Sequence, residues 1–191
     1  MFCREADLFF EPPDTRENRK GTFGVLHLLR KDISRCMGYD PPSRQRTSHP
    51  TLWPGAMAIL AGVDLLGKFL AGSDDTAPGQ VGKRFRDYIN RYFRLISPGH
   101  EEIIYQLRNA LLHSFGLYSR NKKKEYLFLL TTQSSTLIKV EPGNRYLVGI
   151  TALNHSFEDS IERYKNDLES DKMLQQCFAI MFSNYGAIDI L

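Results

Sequence analysis

Trp53-Pro-Gly-Ala-Met-Ala-Ile-Leu-Ala-Gly-Val-Asp-Leu-Leu-Gly-Lys-Phe-Leu-Ala71 is the stretch on which the fold turns. Ala56, Met57, Ile59, Leu60, Val63, Leu65, Leu66, Phe69 and Leu70 make it apolar nearly all round. A helix of that kind is buried in a large core or in a membrane. A membrane span needs about 20 uncharged residues, and this run reaches only about ten before Asp64. Ala58, Ala61, Gly62 and Gly67 permit close approach of neighbours. Asp64 and Lys68, one helical turn apart, make its one polar edge. The expected role is the central helix of a bundle.

On its N-terminal side, Phe23, Leu26, Leu29, Ile33 and Cys36 recur at three- and four-residue steps, predicting a helix from about Thr22 to Met37. His27 lies among apolar neighbours and reads as a packed histidine. Residues 1–21, with Pro12 and Pro13, read as an irregular lead-in. Gly38 to Pro50, broken by prolines, reads as a loop. On the C-terminal side, a loop from Gly72 to Gly79 precedes a helix predicted from Gln80 to Ile96. Val81, Phe85, Tyr88, Ile89, Tyr92, Phe93 and Ile96 share one arc of it. Lys83, Arg84, Arg86, Arg91 and Arg94 share the other, with Asp87 the only acid. Such a face either tracks a phosphate backbone or is simply solvated.

The next helix is marked at both ends. Ser97 is placed as N-cap and Pro98 at the first helical position, with Glu101 and Glu102 near the positive end of the dipole, and Gly116 as the stop. Turning about 100° per residue puts Ile103, Ile104, Leu107, Ala110, Leu111, Ser114 and Phe115 on a core-facing arc. Tyr105, Arg108, Asn109, Leu112 and His113 form the other arc, which suits a substrate or a partner better than water. The short link Ser97-Pro98-Gly99 makes this helix an antiparallel neighbour of the basic one. Arg108 to His113 has the form Arg-x4-His. Two further Arg/His matches, Arg44 to His49 and Arg94 to His100, fall in a loop and across the Ser97 to Gly99 break. Only Arg108 and His113 share one amphipathic helix.

With Asn109 straight after the arginine, these residues resemble the motif of the HEPN superfamily (higher eukaryotes and prokaryotes nucleotide-binding domain). Many members are RNases with Arg-x(4 to 6)-His on a late helix of a bundle. The resemblance covers roughly residues 15–118, and its motif maps onto Arg108, Asn109 and His113 alone. It implies an antiparallel helical bundle and a homodimer whose shared cleft takes Arg and His from both chains. It also implies a toxin or phage-defence setting with a cognate antitoxin or regulatory partner.

The residue chemistry agrees with an RNase. An imidazole serves as general base or acid near neutral pH, and an always-charged guanidinium holds phosphate and stabilises transition-state charge. Asn109 is placed to orient the imidazole or to bond the phosphate. The expected reaction is metal-independent and cofactor-free, with the ribose 2′-OH attacking the adjacent phosphate. Residues five apart point about 140° away from each other. They converge through long side chains or across a two-fold contact, for which Tyr105 and Leu112 are the expected interface. Against this stands a structural reading, with Arg108 paired to an acid and His113 capping a carbonyl.

Beyond Gly116 the character changes. Asn121 to Lys124 reads as a basic turn, its Lys122, Lys123 and Lys124 able to extend an RNA groove. Tyr126 to Thr132, Thr136 to Val140 and Arg145 to Ile150 read as three strands with turn chemistry between them, arranged most economically as an antiparallel meander. Helices follow from Ser156 to Ser170, preceded by a capping His155, and from Asp171 to Tyr185, with a loose tail to Leu191. The fold class expected is mainly α, or α+β by content, in one domain of residues 1–191: a bundle over 15–118 with the meander and two helices appended over 119–191.

The 191 residues, 42% hydrophobic and 25% charged, suit a soluble globular domain. A net charge of +3 and a pI near 8.7 permit nucleic-acid binding without demanding it. Cys3, Cys36 and Cys177 lie far apart and show no metal-ligand spacing, as expected of thiols in a reducing cytoplasm. Charges throughout residues 1–14 leave no apolar core for a signal peptide. P-loop, Rossmann, zinc-protease and nucleophile-elbow motifs are absent.

Overall fold

The computed structural model of the chain describes residues 2–13, 20–40, 45–46, 49–95, 97–122 and 124–191. Its elements run α1 (Phe2–Phe9), β1 (Gly21–Gly24), α2 (Val25–Cys36), α3 (Leu52–Ala71), α4 (Gln80–Tyr92), α5 (His100–Ser114), β2 (Tyr118–Asn121), β3 (Lys124–Thr131), β4 (Ile138–Glu141), β5 (Arg145–Gly149), α6 (Ile150–Ser170), α7 (Lys172–Tyr185) and β6 (Ala187–Ile190).

Helix α3 is the axis. It packs against α2, α4, α5, α6 and α7, and buries Ala56, Ile59, Leu60, Val63, Leu66 and Phe69 completely. It is long and apolar enough to cross a membrane, but its burial among five helices makes it a core helix here. Because α6 and α7 pack directly on α3, the division expected at residue 119 falls inside one core. The content is mixed α and β, with helices dominant.

Aromatic rings lock the helices together. Phe9 stacks on Phe69 with centroids 4.4 Å apart and meets Phe178 edge-on. Phe9 belongs to α1, where the sequence suggested only an irregular lead-in; the tertiary docking of its aromatic face holds so short a helix. Tyr88 of α4 reaches Ser160 of α6 at 3.1 Å, and burial raises the pKa of its phenol well beyond the ordinary range. Arg30 of α2 donates from Nε and Nη2 to Glu158 of α6 at 3.0 and 2.5 Å. His27 is fully buried, as expected of a packed histidine, and its Nδ1 donates to the Glu11 carbonyl.

The strands depart from the expected meander. The sheet order is β2-β3-β5-β4, and β3 pairs with β5 in parallel, Phe128 opposite Tyr146. Inserting β5 beside β3 stacks Tyr146 on Tyr126 at 5.4 Å and brings it to 5.9 Å from Phe128. This leaves β4, with exposed Lys139 and Val140, at the edge, where charge is tolerated. Helix α6 begins at Ile150 directly after β5, six residues before the predicted Ser156 start. Ile150, Leu153, Phe157, Ile161, Tyr164 and Leu168 form its buried stripe. The expected tail is also a strand: β6 pairs antiparallel with β1, Thr22 opposite Asp189. That pairing delays α2 to Val25.

The ends of α4 and α5 differ as well. Helix α4 stops at Tyr92, where Arg163 of α6 donates to the terminal carbonyl at 2.6 Å; Ile96, the predicted end, lies outside the described residues. Gly99, in the left-handed region, is the N-cap of α5, so Ser97 and Pro98 form the turn before it. At the other end Phe115 takes the left-handed position (φ 46°), and Gly116 N donates to Ala110 O. Phe115 is therefore 73% exposed and not on the core arc.

Candidate functional site

Arg108 and His113 meet within a single chain. The arginine is long enough to close the angular gap, and its Nη1 touches His113 Nε2 and donates to Asn109 Oδ1 at 3.2 Å. A guanidinium carries donors only, so Nε2 is the acceptor and the ring proton sits on Nδ1 in this arrangement. Behind them Arg108 Nε and Nη2 both donate to Asp64 Oδ2 of α3, at 2.7 and 2.6 Å. Arg108 is 9% exposed, whereas His113, in the last turn of α5, is exposed. An anchored cation thus stands beside a solvent-accessible imidazole.

Asp64 spends its charge on Arg108, while Lys68 places its Nζ 4.3 Å over the Tyr185 ring. Burial raises the Asp64 carboxyl above its ordinary 3.8, and the attraction of Arg108 and Lys68 does not fully offset it. A recess of about 250 Å³ opens on the far side of the Arg108 guanidinium, lined by Asp64, Lys68, Thr76, Val81, Arg84 and Arg108. Gly67 lets α3 and α4 close around it: a Cβ there would lie 3.0 Å from the Arg84 carbonyl oxygen.

The basic face of α4 is matched in part by acids, one from α4 itself and two from other elements. Lys83 pairs with Asp87 at 2.8 Å, Arg86 with Glu102 at 3.2 Å, and Arg91 with Asp167 at 2.9 Å. Arg94 is exposed and has no polar partner among the described residues. Arg84 is buried, donates to the Asp75 carbonyl, and belongs to the recess. Of the five cations, only Arg84 borders Arg108.

The lysine turn lies elsewhere. Lys122 is exposed with a left-handed backbone, and Lys124 Nζ stands over the rings of Tyr126 and Tyr146. Lys123 lies outside the described residues. Asn121 donates to Glu102 at 2.9 Å, which holds this hairpin at the N-terminal part of α5, about 16 Å along the helix from His113. Tyr105 packs inside the chain, 5.6 Å from Phe85, with Arg86 4.6 Å over its ring. A Cβ at Gly82 would come within 2.7 Å of the Tyr105 ring, so glycine there makes this contact possible. Leu112 is half-buried against the core.

Of the other Arg/His matches, only that of Arg94 with His100 falls on described residues, and it does not assemble. Arg44 lies outside the described residues. His100 is buried at the start of α5, with no hydrogen bond to Arg94. Among the described residues, no group of three His, Cys, Asp or Glu side chains is placed to hold a metal ion. Asp64 is the site residue whose role the sequence concealed. Its signal is an acid on a nearly apolar helix, which demands a buried partner. No protein-family model, curated protein or solved structure matches this chain.

Proposed function

We propose that the chain is an endoribonuclease that cuts RNA by attack of the ribose 2′-OH on the adjacent phosphate, without a metal ion, as its HEPN-like motif suggests. The observation that carries this reading is the contact of Arg108 with His113 Nε2, braced by Asp64. A substrate phosphate replaces His113 as acceptor for Arg108 Nη1, which frees Nε2. Neutral His113 then takes the 2′-OH proton as the 2′-oxygen bonds to phosphorus. The bond to the 5′-oxygen breaks, and that oxygen takes a proton from solvent or from the imidazolium of a second copy. The products are a 2′,3′-cyclic phosphate and a 5′-OH. Donors fixed on the developing charge are worth roughly 10²–10³ in rate. Homodimerisation, with Leu112 near the contact, belongs to the same proposal and rests on the resemblance.

A second reading, an RNA-binding module without turnover, is favoured by one observation: Asp64 already engages the buried Arg108 through two donors. The two separate in one assay. Wild type is expected to cut a single-stranded RNA ladder in EDTA and leave cyclic-phosphate ends, whereas His113→Ala and Arg108→Ala are inert. Undiminished cutting by His113→Ala overturns the assignment. Binding by all three without cutting selects the second reading.

A further inference from the structure

We infer that the recess between α3 and α4 is a phosphate-binding site, distinct from the contact of Arg108 with His113 although it shares the arginine. The case begins with Arg84. Its residue is 7% exposed, yet among the described residues no carboxylate pairs with it. One of its five N–H donors goes to the Asp75 carbonyl. The others have no acceptor among the described residues, and the side chain lines the 250 Å³ recess. A buried guanidinium without a counter-charge is costly, and folds supply a partner or bind one.

The other walls add to the demand. Lys68 faces the space with its Nζ over the Tyr185 ring, and it also attracts the Asp64 and Asp74 carboxylates. Arg108 presents its Asp64-facing side. Asp74 is not part of the wall, and its carboxylate accepts from the Tyr185 hydroxyl at 2.5 Å. Three cations and one carboxylate therefore line the space, with Asp74 acting on Lys68 and Arg84 from outside the wall. At about 250 Å³ it lies below the roughly 300–1,000 Å³ of pockets for drug-sized ligands, which fits a compact oxyanion. Arginine and lysine together are the usual holders of phosphate oxygens.

The ligand class is therefore a phosphate, from either an RNA backbone or a smaller phosphate compound. This deepens the proposed function, because a phosphate held here lies next to the one at His113. It is tested without cleavage. Inorganic phosphate is titrated calorimetrically into wild type, Arg84→Gln, Lys68→Gln and His113→Ala in buffers of matched ionic strength. Wild type and His113→Ala are expected to bind alike. Losing one charged donor weakens binding roughly ten- to hundredfold in each of the other two variants. Lys68 is only half-buried, so its variant stands if Arg84→Gln fails to fold. No phosphate binding by wild type, or binding by Arg84→Gln and Lys68→Gln as tight as by wild type, overturns the site.

Competition then identifies the source. Displacement of phosphate by an uncleavable all-2′-deoxy oligonucleotide assigns the site to a backbone diester. Displacement by AMP alone assigns it to a terminal phosphate, and displacement by neither to free phosphate. Phosphate binding without RNA cleavage would remove the nuclease reading and leave this site standing.

Discussion

Two buried arginines of this chain do different things with the same chemistry. Arg30 gives Nε and Nη2 to Glu158, ties α2 to α6, and does not line the Arg108 recess. Arg108 also engages a carboxylate on another helix, yet it keeps contacts with Asn109 and His113 and forms one wall of a cation-rich space. The first is a closed pair whose function is to hold helices. The second is an open one, with the carboxylate behind and Asn109 and His113 in front. A buried arginine therefore becomes a candidate site through what faces its remaining donors.

The comparison breaks most visibly in stability. Glu158→Gln leaves Arg30 buried without a counter-charge, and urea denaturation is expected to show a loss of about 3 kcal/mol, with RNA cleavage per folded molecule unchanged. Phosphate should restore none of it, since Arg30 does not line the Arg108 recess. A Glu158→Gln protein as stable as wild type would remove the distinction between the two arginines.

Phe115 gives a smaller effect of opposite sign. It holds a left-handed position that disfavours a side chain, while 73% exposed and so buried against little. Phe115→Gly should raise stability by about 1 kcal/mol by relieving that strain, and a lower thermal midpoint would contradict it.

Asp64 sharpens the contrast further. Its carboxyl is raised above 3.8 by burial, so the fold favours its neutral form more than the unfolded chain does. Its contribution to stability is full below 3.8 and is lost as pH rises through the folded value. Asp64→Asn should therefore remove that decline, as stability measured against pH will show. The same variant should bind phosphate more tightly, because the one anion on the recess wall is gone.

What the sequence disclosed follows the range of the interactions. Helix α3 was legible because an unbroken apolar run has few other uses, and Arg108 with His113 because they share one helix. Asp64 was visible, but was assigned to Lys68 four residues on; its partner lies 44 positions away, brought there by α3 packing on α5. The acids that match α4, Glu102 and Asp167, were hidden for the same reason, so a face that read as five cations and one acid is mostly paired. Strand order escaped because the stacking of Tyr126 and Tyr146 selects it, not the turns. The ribbon of β1 with β6 joins chain ends that local pattern cannot connect. Phe115, not Gly116, takes the left-handed turn because α5 ends one residue earlier than the apolar pattern suggests.

The central claim is that Arg108 and His113 act as one unit on RNA, and a double-variant cycle tests it directly. Single-turnover cleavage of a short single-stranded RNA in EDTA is measured for wild type, Arg108→Ala, His113→Ala and the double variant. Residues that act as a unit are strongly non-additive, so the double variant is expected to be no slower than the slower single. Wild-type cleavage that survives both substitutions would contradict the account.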